Sequence, residues 1–461
     1  FYGMYKFLLI TIFSIIAANA FSQKWLEPVQ VAISKLEKDA NMQHGIISFT
    51  VMDANTGEIV FEKNSELGLP TASTQKVITS ICAYELLGAN YQYETKFYVN
   101  AAKSRLEIEG SYDPTLGSWR YASTKPEPVV DSIIKGLAKY GGNTKSFGLI
   151  HNNKPSDKNK ISDGWIYEDL ANYYGAECSP FNWRENKFEA IFTPTTIGQK
   201  AKFENVFPAF IGKYVNIINT ITTAKNGMGD NTCAYNIPQN NKFIYYNYKL
   251  AGELGLDVPK LEAGISIDGI TYISAELMNA KNKYYLDNHY QTIKNSKEYL
   301  IYKHRSPTLD SINYWFLKKS INLYGESLLR TMAMKKFGDA DYEKGIQYIH
   351  SICKQLKLDS HSVHIFDGCG LSPQNRVTTK ALATFMQYAR GKDYYKHFYN
   401  CLPVINDISM KSGSIHGARA YTGYINSSDE HVYTFAIAVN NYDGSGKEMQ
   451  AKLWKLLDVL K

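Results

Sequence analysis

The chain lacks most of the features that would assign it quickly. It has no block of five or more basic residues, although 51 lysines and arginines against 44 acidic residues leave a net charge of +7 over 461 residues. Scattered charge of that size argues against a nucleic-acid partner; it would suit an anionic polymer or surface equally well. The six cysteines, at 82, 178, 233, 353, 369 and 401, include no Cys-x-x-Cys pair. Neither a structural zinc site nor a disulfide framework is indicated. The ten histidines, among them His361, His364 and His416, show no ligand spacing, so no metal is expected. No residue pattern calls for a cofactor, and there are no internal repeats or low-complexity tracts. After the first two dozen residues no apolar run reaches the ~18 residues of a membrane helix. What is there is a globular composition, 44% hydrophobic and 21% charged. The length suits two to four domains, or one large domain with insertions.

The start of the chain sets the compartment. Lys6 precedes an apolar stretch from Phe7 to Ala17, and Ala18-Asn19-Ala20 places small residues where a signal peptidase cuts; Ala20-Phe21-Ser22 is an alternative. Residues 1–22 are expected to be a signal peptide. The mature protein is then exported, periplasmic or otherwise extracytoplasmic, with no membrane span, and disulfides become chemically allowed.

Along the rest of the chain the periodicity changes twice. Residues 24–39 read as a helix. Two β-rich runs flank Asp53-Ala54-Asn55-Thr56-Gly57, which is hairpin chemistry. Val77, Ile78, Ile81, Cys82, Leu86 and Leu87 recur at helical spacing, and Gly88 closes that helix. From 97 to 298 the chain turns to short strand-like runs such as TKSFGLI, KFEAIFT and GISIDGITYISAEL, without long amphipathic helices. Helical periodicity returns after Thr308, and the end reads as two strands around Asn426-Ser427-Ser428-Asp429 followed by an amphipathic helix. The expected fold is one α/β domain, an antiparallel sheet flanked by helices, formed by 23–96 and 299–461. A β-rich insertion of one or two lobes, 97–298, splits it.

Ser73 and Lys76 lie three positions apart at the start of the helix after Pro70. A hydroxyl needs a base within reach to become a nucleophile. Positions i and i+3 share a helix face, and a helix N-terminus favours a developing alkoxide. The spacing alone decides nothing, because Ser132/Lys135 and Ser351/Lys354 repeat it. The order of further motifs is more specific: Ser320-Ile321-Asn322, then Lys411-Ser412-Gly413. Ser-x-x-Lys, Ser-x-Asn and Lys-Ser/Thr-Gly, in that order, resemble the motifs of penicillin-binding proteins and serine β-lactamases.

The flanks narrow the resemblance. KKSINLYGESLLR is similar to the Lys-Lys-Ser-Asp-Asn-Leu-x-Ala-Glu-x-Leu-Leu-Arg pattern of the low-molecular-mass class C penicillin-binding proteins, the D-alanyl-D-alanine carboxypeptidase/endopeptidase family. FDGCGLSPQNRVT at 366–378 resembles that family's Asp-Gly-Ser-Gly-Leu-Ser segment, and residues 110–118 and 165–186 resemble its inserted region. The family's long spacing between its first two motifs is also present, about 240 residues from Lys76 to Ser320. The resemblance implies a penicillin-binding, serine β-lactamase-like domain split by that insertion. It also implies cleavage of D-Ala-D-Ala termini or D-Ala cross-links of peptidoglycan stem peptides, with β-lactam antibiotics as covalent inhibitors.

Carried over by position, Ser73 is the nucleophile and Lys76 its base. Ser320 relays a proton toward the leaving amine, with Lys411 a second candidate for that relay, and Asn322 holds the substrate amide. Lys411 and Ser412 bind the terminal carboxylate. Gly413 lets the strand approach, and the backbone N–H groups of Ser73 and Ser414 form the oxyanion hole. Three departures stand out. Ile321 replaces Asp and should point away from the site, Cys369 replaces Ser, and Pro373 stands where many relatives carry a basic residue, so the stem-peptide preference does not carry over. The competing readings are a β-lactamase and a non-catalytic penicillin-binding sensor or wall-binding module. Asp113 is expected to fix a turn, Glu168 and Asp169 to lie on a solvated face, and Tyr173 and Tyr174 to pack. In the second copy of the Ser-x-Asn motif, Ser311 is expected to sit early in a helix, as a capping residue.

Overall fold

The computed structural model describes residues 26–100, 105–140, 146–150, 160–237, 246–281, 298–428 and 431–461. The expected signal peptide and Asp429 of the last expected turn lie outside them. The described residues form two compact units. One holds the chain up to Ile81 with His350–Ile365 and Gln374–Lys461; the other holds Cys82–Ile349 and Phe366–Pro373. The region 97–298 falls wholly within the second.

The first unit is built on a six-stranded antiparallel sheet in the order Val404–Ile405, Ile408–Ile415, Ala418–Asn426, Val432–Asn440, Ile46–Asp53, Ile59–Lys63. The hairpin between its last two strands forms as its sequence predicts. Asp53 Oδ1 accepts from the N–H groups of Asn55 and Thr56, and Gly57 takes φ 77°. The strand Ile46–Asp53 is buried on both faces. Ile47, Phe49 and Val51 face an apolar core shared with the helices Leu26–Glu37 and Gly446–Leu457. On the other face Ser48 and Thr50 meet Thr379, with hydroxyl–hydroxyl distances of 2.7 and 2.9 Å. Thr379 opens the helix Thr379–Arg390, capped by Thr378, so that helix is joined to the sheet partly by hydroxyls rather than hydrocarbon.

The second unit carries three small sheets. A four-stranded one runs Glu298–Arg305, Glu94–Asn100, Arg105–Glu109, Ser146–Ile150. Two three-stranded ones run Leu261–Ser266, Lys187–Thr193, Lys202–Phe207 and Val215–Ala224, Tyr246–Gly255, Asp230–Asn236. A common apolar core spans them, from Phe97 through Trp183 and Phe188 to Leu277.

The β-rich character is as expected, but the expected lack of long helices is not. Pro126–Tyr140 is a 15-residue helix with Val129, Val130, Ile133 and Leu137 in that core, and Pro126 suits its first position. The run GISIDGITYISAEL, expected to be strand throughout, breaks at Asp268. That side chain accepts from Thr271 N at 2.9 Å and starts the helix Gly269–Lys281. The helices Leu309–Lys318 and Asn322–Phe337 follow, the second ending on Gly338 at φ 72°. No helix among the described residues is long and apolar enough to cross a membrane. The six cysteines all lie among the described residues, and no disulfide joins any two of them.

Candidate active site

The first motif owes its geometry to a turn, not to a helix interior. Ala72 takes a left-handed φ of 47°, and the Thr71 carbonyl accepts from the Thr74 hydroxyl at 2.7 Å. The short 3-10 turn Ala72–Gln75 then feeds the helix Lys76–Leu87. Ser73 is partly exposed while Lys76 is fully buried. Lys76 Nζ donates to Ser73 Oγ at 2.8 Å. With the lysine neutral, the same contact is a path for the serine proton.

The third motif packs against that turn. Lys411 lies on Ile408–Ile415 and is 2% exposed, and its Nζ donates to the Ser412 carbonyl at 2.7 Å. Burial, and then the charge of Lys76, hold its ammonium well below the ordinary value of 10.5. A buried cation beside a second amine is disfavoured, the condition under which a lysine serves as a base near neutral pH. Gly413 marks the closest approach. A Cβ there would overlap the Thr71 carbonyl oxygen and lie 2.9 Å from Ser73 N and 2.8 Å from Thr74 N. Only glycine lets the strand's backbone reach the serine's own N–H. Ser412 is half-buried and Ser414 exposed. The first unit thus brings Ser73, Lys76, Lys411 and Gly413 together.

Ser320 and Asn322 belong to the second unit. Ser320 links two helices in the left-handed region, φ 56°, and Asn322 is the first residue of the next helix. Ile321 packs beside the cluster of Tyr112, Cys178, Leu323 and Ala340. Asn322 is 9% exposed and its Nδ2 donates to the Tyr174 carbonyl at 2.8 Å. Sequence reasoning missed this contact. Its acceptor is a backbone atom 148 residues away, which no side-chain pattern announces.

The look-alike motifs sit in different surroundings. Ser132 lies inside the helix Pro126–Tyr140, its hydroxyl donating to the Pro128 carbonyl at 2.8 Å, and Lys135 is exposed. Ser351 and Lys354 are both exposed. Ser311 is early in its helix, as expected, but the cap is Thr308, whose side chain accepts from Ser311 N. Asp113 fixes a turn as expected: its Oδ1 accepts from the N–H and hydroxyl of Thr115, and burial lifts its carboxyl to about 6. Glu168 is exposed, but Asp169 is half-buried, and burial with the neighbouring Glu168 raises it to about 6. Tyr173 and Tyr174 pack edge to face at 5.4 Å. One buried trio, Glu326, Asp367 and Cys369, is close enough to surround an ion. Its carboxylates instead shape the Asp-Gly-Cys-Gly loop. Asp367 accepts from Gly370 N, Ser372 N and Trp165 Nε1, and Glu326 from Gly368 N.

Known proteins resemble the chain over most of its length. The chain is 22% identical over 453 residues to a D-alanyl-D-alanine carboxypeptidase of Actinomadura sp. (strain R39), covering 89% of this chain and 81% of that one. It is 20% identical over 438 residues to the D-alanyl-D-alanine carboxypeptidase DacB of Haemophilus influenzae, covering 88% of each. The crystal structure of penicillin binding protein 4 from Haemophilus influenzae has the same fold, with a TM-score of 0.72 at 19% identity over 92% of this chain and 97% of that one. Residues 29–460 match the D-Ala-D-Ala carboxypeptidase 3 (S13) family as a whole, and the chain belongs to that family.

Proposed function

We propose that this serine-type D-Ala-D-Ala carboxypeptidase acts on peptidoglycan through an acyl-enzyme on Ser73. The observation that carries the reading is the 2.8 Å contact from Lys76 Nζ to Ser73 Oγ in a pocket where Lys411 is also buried and disfavoured as a cation. Ser73 Oγ attacks the carbonyl carbon of the penultimate D-Ala and its proton passes to Lys76. The N–H groups of Ser73 and Ser414 receive the oxyanion. The C–N bond then breaks, and the departing amine takes a proton through Ser320. Asn322 holds the substrate amide, and Lys411 with Ser412 the terminal carboxylate, whose negative charge favours the ammonium that burial disfavours in the free enzyme. Water releases the acyl group. The same steps serve D-Ala-D-Ala termini, D-Ala cross-links, or both. β-Lactams enter the same path and stop at the acyl-enzyme. The protein is exported after loss of residues 1–22. The catalytic domain is discontinuous, 23–96 and 299–461, and the insertion 97–298 positions large substrates.

The test is intact-protein mass spectrometry after penicillin treatment, beside release of D-Ala from a D-Ala-D-Ala peptide. One adduct per chain is expected, and Ser73→Ala removes both adduct and turnover. An adduct that persists in that variant, or maps to Ser132 or Ser351, overturns the assignment.

A further inference from the structure

Asn322 does not orient itself. Its Nδ2 is tied to the Tyr174 carbonyl, and a carbonyl only accepts, so this bond fixes which end of the amide is which. Where Asn322 points therefore depends on where the Tyr173–Gly175 turn is held. That turn has little freedom. Gly175 N donates to the Asn172 carbonyl at 2.9 Å, and a Cβ on Gly175 would overlap the Asp169 carbonyl. Asn172, just before the turn, is 7% exposed, and its whole amide is engaged. Nδ2 donates to the Glu168 carbonyl at 2.8 Å and to the Ala234 carbonyl at 3.2 Å, with Cys233 Sγ at 3.3 Å. Oδ1 accepts from Ala234 N at 3.0 Å. The side chain thus pairs with the Ala234 peptide in both directions, as a neighbouring strand would, and adds the segment 168–175 to the edge of Asp230–Asn236.

We propose that Asn172 is a positioning residue for the second motif. By clamping the Tyr173–Gly175 turn to the strand Asp230–Asn236, it sets the Tyr174 carbonyl and, through it, the orientation of the Asn322 amide. The inserted region would then hold part of the catalytic apparatus in place besides positioning substrate. The inference rests on the proposed role of Asn322, and the test separates the two.

Acylation by penicillin is measured for Asn172→Ala, Asn322→Ala and the double variant. Asn172→Asp serves as an isosteric second variant that keeps an acceptor for Ala234 N and has no hydrogen for the two carbonyls. Either change at 172 is expected to slow acylation about ten- to a hundredfold, the cost of a misplaced catalytic group. In the double variant the loss should be no greater than in Asn322→Ala alone, because both act through one amide. Multiplied losses overturn the proposal. Selective 15N-asparagine labelling supplies a readout that general destabilisation would not move. The Asn322 side-chain resonances, assigned by their absence in Asn322→Ala, should shift in both variants at 172, and unmoved resonances overturn the proposal. Should Asn322→Ala acylate and turn over at the wild-type rate, the role of Asn322 falls, and the resonances alone decide the positioning.

Discussion

Residues 71–76 and 131–135 present the same serine–lysine spacing, and the molecule treats them in opposite ways. Ser132 stands inside a helix and gives its hydroxyl to the carbonyl four residues back, while Lys135 reaches into solvent. Ser73 stands one turn before a helix, after a left-handed Ala72, and its lysine is buried beneath it. The second motif repeats the lesson. Ser311 sits in the first turn of a capped helix, whereas Ser320 occupies a left-handed link between two helices. In both pairs the side chains match and the backbone differs. A hydroxyl inside a helix has a carbonyl to satisfy it. A hydroxyl outside a regular helix has no such carbonyl four residues back, and backbone strain of this kind clusters at functional sites.

This contrast is open to attack, beginning with the largest effect. Ser320→Ala should slow penicillin acylation by ~10²-fold or more, the worth of a positioned proton relay, with little change in melting temperature. Ser311→Ala should acylate normally; the reverse pattern would exchange the two copies. Next comes Lys411→Met. The folded state holds the Lys411 ammonium below its ordinary value of 10.5. Between that depressed value and 10.5 the unfolded chain binds more protons than the folded one, so stability from this group rises with pH across the window. Lys411→Met should therefore melt higher than the wild type at neutral pH, with acylation lost. Its advantage should shrink as pH climbs toward 10 in a series of thermal melts. An unchanged gap would mean that Lys411 is not disfavoured as a cation. The smallest effect belongs to the helix cap: Thr308→Ala should cost about 1 kcal/mol in urea unfolding, and Ser311→Ala clearly less.

Where local chemistry determines the structure, the sequence is legible. Asp53 to Gly57 forms the expected hairpin, and Gly88 at φ 78° ends the expected helix. The order of motifs also singles out the serine and lysine that the fold brings within hydrogen-bond distance. The two missed helices had signals in plain view, Pro126 at a first position and Asp268 as a cap, but they were overshadowed by the β-rich runs around them. Ser311 was expected to cap because serine caps well; the threonine three residues earlier took the position. The grip of Tyr174 on Asn322 had no such signal. Any residue supplies a carbonyl, so only the folded chain shows which one is used.

The near-contact at Gly413 has a consequence for how this chain changes over time. Positions 412 and 414 can be varied within the proposed chemistry, which asks a hydroxyl of the first and only the backbone of the second. Position 413 has a carbonyl oxygen where any side chain would begin. Drift, recombination or a saturated mutant library that samples this strand thus meets one site with a single admissible amino acid. Under the proposed acylation of Ser73, resistance to β-lactams that arises by reshaping the strand has to route around it, through its neighbours or through the turn that carries Ser73.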